Sequence, residues 1–348
     1  MKIYKYRRFR ESRALFRYFV DERMSTYAIY GELEFPASRG RQKVLVRRFS
    51  KIKVETGWQK LTGTADITLP RRVRDFDRFA VGDVFQDGDP VIIRWGYNGN
   101  LNTEFEGYLS QVSTYVPIML TCEDEMYKLK RKSVSVSRAS CTLKQLLNAV
   151  APEYEVKCDD MAIGSVRYDN KLITEIFDDL KSKMNIYVYF RGKVLTAGQT
   201  SIDGGKHVEI TIERQAADNL KDRPIGKIWV RVDSMQSYSG KRKKGQKKKI
   251  SSTKGEKGGM TITIKQPNLT QVEIDKVALD LYNKAKQPGL DGDITLFGVP
   301  RLEHGMIVDI KSILYPERNG SYYVDSVVKT IEVGQGVRQV GKLGNKAG

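Results

Sequence analysis

The chain has 348 residues, 40% of them hydrophobic and 29% charged, with a formal charge of +18. That length allows two or three domains with separate cores, no apolar run is long enough to span a bilayer, and the basic excess points first to nucleic acid. The placement of the charge weakens that reading: residues 241 to 258 hold nine Lys and Arg against one Glu, for +8, and residues 1 to 25 hold eight against three, for +5, which leaves only +5 for everything else.

Residues 1 to 25 read as a basic N-terminal extension. Met1 to Arg23 lacks the uninterrupted apolar stretch of a secretory signal, because Arg13, Arg17 and Arg23 punctuate it. Leu15, Phe16, Phe19 and Val20 share one helical face, so a docking helix stands beside the plainer reading of a packed or solvated extension; Met24, just ahead of the first strand, is also consistent with an upstream start. From Thr26 to Lys132 the grammar is β: Tyr27 to Phe35, Gln42 to Glu55 and Gly63 to Leu69 cluster apolar and β-branched residues between Gly and Pro. Asp87-Gly88 and Asn98-Gly99 are turn dipeptides flanking a strand from Val91 to Trp95.

A different pattern occupies residues 133 to 205. Thr142 to Ala151 reads as an amphipathic helix stopped by Pro152, and Asn170 as the cap of a second helix with Leu172, Ile173, Ile176, Phe177 and Leu180 as its core stripe. Ile186 to Phe190 and Lys193 to Ala197 follow as strands joined through Arg191-Gly192, which makes a small α/β domain. Residues 206 to 348 return to strands, with His207 to Ile212 and Gly226 to Val232 first. Gly240 to Gly259 has no apolar periodicity and reads as a flexible Lys-rich loop, whose deletion from 241 to 258 is expected to leave folding intact. Strand Met260 to Lys265 resumes the module. Thr270 then caps a helix through Lys286 with Val272, Val277, Leu279, Leu281 and Tyr282 available for burial, before closing strands from Asp293 to Leu343.

The two β regions share an order of parts. Val81-Gly82-Asp83-Val84 and Pro90 to Trp95, a polar loop, Glu104 to Val112 with its Gly107 and Tyr108, and Pro117 to Cys122 are matched by Gly305 to Ile310, a polar loop, Gly320 to Val328 with Tyr322 and Tyr323, and Gly336 to Val340. A short strand, a turn-rich loop, a long strand and a return strand make a small antiparallel barrel. The expected fold is therefore mainly β with an α/β insert: two small antiparallel β-barrel modules, 26 to 132 and 206 to 348, flanking the α/β domain.

Catalytic constellations are not evident. His304 lies beside a turn and His207 opens a strand, both in the manner of structural histidines. Glu123-Asp124-Glu125 would suit glycoside hydrolysis only if two carboxylates faced each other across a substrate, which adjacent residues rarely do. Cys122, Cys141 and Cys158 are odd in number without metal-ligand spacing, as in reduced cytoplasmic thiols. No glycine spacing forms a phosphate loop, and no cofactor is indicated. Lys241, Arg242, Lys243, Lys244, Lys247, Lys248 and Lys249 are the candidate phosphate contacts; without interleaved aromatics they lack a stacking platform.

Val81-Gly82-Asp83, Phe105 to Leu109, Leu120 to Asp124 and Tyr127-Lys128-Leu129 resemble the first barrel of phage tail baseplate hub proteins, the group that includes the late control protein D family. Gly305 to Ile310, Gly320 to Val327 and Arg338 to Gly344 are similar to that family's last barrel, and the resemblance covers about residues 26 to 343 in layout. The Lys-rich stretch and residues 1 to 23 depart from it. The resemblance implies a non-enzymatic structural protein of the virion tail, assembled in the bacterial cytoplasm, in which a homotrimer joins the sixfold tail tube to a trimeric spike and other baseplate proteins around a DNA channel. The channel should hold DNA only weakly and non-specifically, since every phosphate contact would retard ejection. The alternatives are a nucleic-acid-binding protein using the Lys-rich loop and, behind it, a tail-associated cell-wall hydrolase.

Overall fold

The computed structural model describes residues 28–70, 81–113, 117–200, 205–222, 226–237 and 247–347. The N-terminal extension, with Leu15, Phe16, Phe19 and Val20, lies outside them. Seven strands come first: β1 (Ile29–Phe35), β2 (Val44–Val46), β3 (Lys51–Gly57), β4 (Thr64–Leu69), β5 (Pro90–Tyr97), β6 (Asn100–Ser113) and β7 (Ile118–Glu123). Their period-two alternation sends Leu33, Ile52, Ile67, Ile93 and Leu120 into one core. Asn98 and Gly99 join β5 to β6 with φ of 53° and 85°, the left-handed pair that a two-residue hairpin turn requires. Val81–Val84, which precedes the Asp87-Gly88 turn, is a single helical turn.

The α/β insert contributes β8 (Ser133–Thr142), β9 (Glu155–Cys158), β10 (Ala162–Leu172), β11 (Tyr187–Arg191) and β12 (Val194–Gly198), with helices Leu143–Val150 and Ile173–Met184. Thr142 caps the first helix in a reciprocal box with Gln145. Asn170 does not cap the second: it sits at φ 43° in an irregular stretch of β10, while Leu172 occupies the cap position without a side-chain bond and is 41% exposed.

The remainder holds β13 (His207–Thr211), β14 (Ala216–Asp218), β15 (Lys221–Asp222), β16 (Ile228–Ser237), β17 (Lys247–Gly255), β18 (Met260–Lys265), helix Gln271–Ala285, β19 (Leu290–Asp291), β20 (Asp293–Leu296), β21 (Ile307–Lys311), β22 (Gly320–Glu332) and β23 (Gly336–Lys346). The flexible loop read over residues 240 to 259 is thus corrected in part, because Lys247–Gly255 pairs antiparallel with β16 along its length. Backbone pairing to a neighbour rich in Val, with Ile250 packed on the core, outweighs the weak strand preference of Lys and Ser. Val230, Val232 and Ile264 also share a core with Leu146 and Phe177 of the insert, so this stretch packs with the α/β unit rather than with the last module. In helix Gln271–Ala285 the buried stripe is Ile274, Ala278 and Leu281, whereas Val272 and Leu279 are 78% and 45% exposed.

The two β modules repeat a topology. Hydrogen-bonded order runs β3-β4-β7-β6-β5-β1 in the first and β14-β20-β23-β22-β21-β13 in the second. Leaving aside β2, which extends the first module's edge beyond β1, and the strands of the second stretch that lie outside this sheet, both are 2-3-6-5-4-1 by chain position. One edge differs, since β1 is antiparallel to β5 and β13 is parallel to β21. Closed barrels were expected, and here the structure differs: the modules run together into one open sheet of 13 strands. The cause is the length of β22, whose first residues pair with β21 while Ser326–Glu332 pairs with Lys51–Gly57 of β3. An edge that could have closed one barrel joins two modules instead.

Candidate functional site

The junction between modules is braced by charge. Glu104 on β6 and Lys329 on β22 form an ion pair in which both side chains are nearly buried, at 4% and 6% exposure. Arg301 Nε lies 3.0 Å from the same carboxylate and its Nη2 3.2 Å from Glu303, and Lys206 Nζ reaches Glu303 at 2.7 Å. Burial lowers the Lys329 ammonium despite Glu104; burial also pushes Glu303 up, but Lys206 and Arg301 more than reverse it. On the other side Trp58 Nε1 donates to Asp325 Oδ1 at 2.8 Å. Such a cluster holds elements in register, with Glu104 and Glu303 committed to cations and Asp325 to the indole of Trp58.

His304 borders this cluster in a cavity of about 300 Å³ between the two modules and the β11–β12 hairpin. Burial first, and then the nearby Arg191 charge, lower it to about 4, so it is neutral at physiological pH. Its Nε2 has no hydrogen-bond partner among the described residues. His207 is exposed at the start of β13. The acidic triplet is structural: Asp124 accepts from the N–H groups of Gly63 and Met126 at 2.6 and 2.9 Å, Glu123 pairs with Lys130, and Glu125 with Lys128. Burial raises Asp124 to about 7. Cys122 and Cys141 are buried and Cys158 partly so, all free thiols. Among the described residues no group of three or more His, Cys, Asp or Glu is placed to hold a metal ion, and no helix is long and apolar enough to cross a membrane.

The modules differ in what they present at matching ends. Where the first has the Asn98-Gly99 turn, the second has an eight-residue connection, Ser312 to Asn319, between β21 and β22. Its tip carries Ile313, Leu314 and Tyr315 at 74%, 71% and 47% exposure. The tip is held from below: Glu213 accepts from the N–H groups of Ile313 and Leu314, both at 3.0 Å, and from the Ser312 hydroxyl. Those donors bring the Glu213 carboxyl down to about 2. Three large apolar side chains are thus presented to solvent from a backbone that is held in place.

Of the candidate phosphate contacts, Lys241, Arg242, Lys243 and Lys244 lie outside the described residues. Lys247 belongs to β17, and Lys248 and Lys249 are exposed on that strand. Lys249 Nζ lies 3.2 Å from Asp233 and Arg231 Nε 2.9 Å from it, both on the side of the sheet away from the core. Sequence reading passed over Arg231 and Lys265, which only the pairing of β17, β16 and β18 brings beside Lys249. The alternation Arg231, Asp233, Met235 opposite Val230 and Val232 was the available signal.

No protein-family model matches the sequence, and no curated protein is similar to it. Solved structures do match. A tail protein from Neisseria meningitidis MC58 superposes with a TM-score of 0.63 at 10% identity, covering 92% of this chain and 97% of that one. The 43 kDa tail protein of prophage MuSo2 from Shewanella oneidensis gives 0.59 at 12%, over 91% and 98%. An E. coli component of the type VI secretion system gives 0.54 at 12%, over 90% and 77%. At these identities the likeness is one of architecture: this chain has, over about nine-tenths of its length, the fold of phage tail proteins.

Proposed function

We propose that the chain is a structural hub of a phage tail or a related contractile injection machine, located in the virion tail or its equivalent. A homotrimeric ring joins the tail tube to a trimeric spike around a channel for DNA. The observation that carries this reading is the recurrence of one strand order, 2-3-6-5-4-1, in two modules joined edge to edge. Three copies then present six modules of one topology, so a threefold particle meets a sixfold tube. The tail proteins that share the fold support the setting.

Repetition also sorts the surfaces. Features common to both modules can repeat six times and suit the tube, whereas the Ile313-Leu314-Tyr315 tip belongs to one module and repeats three times. It therefore faces a threefold contact. The work is assembly rather than turnover, in keeping with carboxylates that are all engaged at the junction. Sedimentation at micromolar concentration tests the reading: the expected species has three times the 39.6 kDa chain mass. A persistent monomer, with no trimer when a spike protein is added, overturns it.

A further inference from the structure

The three-stranded sheet β17-β16-β18 has one covered face and one open face. Val230, Val232 and Ile264 point into the core, while Ser251, Thr253, Thr261 and Thr263 are exposed on the other side. The described residues 226–237 and 247–265, which hold this sheet, carry eight Lys and Arg against two acids, or +6 of the chain's +18. On the open face the charges are organised. Asp233, whose side chain is 11% exposed, holds Arg231 at 2.9 Å on its own strand and Lys249 at 3.2 Å on β17. Lys265 is its register partner on β18. Three cations on three adjacent strands thus share one face, two of them paired with Asp233, and strand spacing with the two-residue register offset separates Lys249 from Lys265 by about 12 Å.

We infer that this open face is a docking surface for the phosphodiester backbone of duplex DNA, held without sequence preference. Charge complementarity and the kind of polar groups present both favour this ligand. Phosphates are bound by Lys and Arg with Ser and Thr hydroxyls, which is the composition of this face. A protein partner would call for an apolar, Lys-poor and Ser-poor centre, whereas the centre of this face is Arg231 and Asp233 with Ser and Thr beside them, and Trp229 and Met235 lie to either side along β16. Base stacking is also disfavoured among the described residues: the Trp229 ring is already covered by Lys257, whose Nζ lies 5.1 Å from its centroid. Among the described residues no helix projects from the face to enter a groove, hence the lack of base readout. Asp233 fixes its cations in place before any ligand arrives, which lowers the ordering cost of binding. Docking of this kind depends on the sheet alone and does not require the hub reading.

The test is fluorescence anisotropy of a labelled mixed-sequence duplex with the full chain across about 50 to 200 mM salt. Three variants are compared: Arg231→Gln/Asp233→Asn/Lys249→Gln/Lys265→Gln, which leaves no carboxylate unpaired; Lys265→Gln alone; and Lys241, Arg242, Lys243 and Lys244 all changed to Ser. If each face cation meets one phosphate, the fourfold variant's log–log salt slope is shallower by about 2.7, equivalent to about 40-fold less affinity change over that salt range. Lys265→Gln alone should flatten it by about 0.9, which keeps the test valid if the fourfold variant folds poorly. Binding that survives both face variants but vanishes with the 241–244 change overturns the inference. So does an absence of binding at the low-salt end, selectivity for one DNA sequence, or a polyglutamate peptide of equal charge binding as tightly as the duplex.

Discussion

Between about pH 5 and 6.5 the stability of the folded chain is expected to be nearly flat, because two buried groups pull it in opposite directions. His304 stands at about 4 in the folded chain against 6.5 ordinarily. Across the interval the unfolded chain therefore holds a proton that the native one lacks, so this group's contribution is full above its unfolded value and is lost as pH falls toward its folded one. Asp124 is the reverse, raised to about 7 from 3.8 chiefly by burial. There the native chain holds the extra proton, and stability falls as pH rises through the same interval. One proton bound by only one of the two states changes stability by about 1.4 kcal/mol for each pH unit crossed. Either group alone thus tilts the curve by roughly 1.5–2 kcal/mol over this window, and together they leave less than about 1. Carboxylates held low by cations, such as Glu34 and Glu303, lose most of their contribution only below the window. Urea unfolding of the native chain, His304→Gln and Asp124→Asn across the window separates the effects. His304→Gln should lose stability as pH rises, and Asp124→Asn should gain it. Asp124→Asn is weaker throughout because one backbone N–H loses its acceptor, so the slope is the readout. Slopes in both variants equal to that of the unmodified chain would refute the reasoning.

Glu104→Gln leaves the nearly buried Lys329 without its carboxylate and Arg301 with Glu303 alone, and should cost about 3–5 kcal/mol in urea unfolding; Lys329→Met, which keeps Arg301 on Glu104, should cost less, and a loss under about 1 kcal/mol for Glu104→Gln would remove the brace. Deleting residues 241 to 258 takes β17 with it, strips Ile250 from the core and bares an edge of β16, so the chain should become protease-sensitive; retention of full resistance would return the segment to a loop. Ile313→Ser/Leu314→Ser should abolish trimers in sedimentation without moving the unfolding midpoint, since those side chains are 74% and 71% exposed; trimers that persist would place the threefold contact elsewhere.

Local signals were legible where a residue and its partner lie within a few positions. Thr142 and Thr270 are each followed three residues on by Gln145 and Glu273, and both make the reciprocal cap; Asn170 is followed by Ile173 at that spacing, and it caps nothing. The repeated meander was readable for the same reason, since period-two runs and the Asn98-Gly99 turn are contiguous in sequence. Edges were not. Whether β22 closes on its own module or pairs with β3 depends on a partner more than 260 residues away, and Glu104 and Lys329 are 225 apart. The same limit hid the basic sheet: Lys249 could be picked out as one of a run, but Arg231 and Lys265 become its neighbours only when β16 and β18 are laid beside β17. A strand carrying one apolar residue among lysines and serines owes its conformation to the strand it pairs with, so its charge pattern acquires meaning only on the assembled face. The surfaces on which this protein's function is proposed to rest are all of that kind: a shared sheet edge, a tip fixed by a distant carboxylate, and cations of three strands brought to one face, two of them held by Asp233.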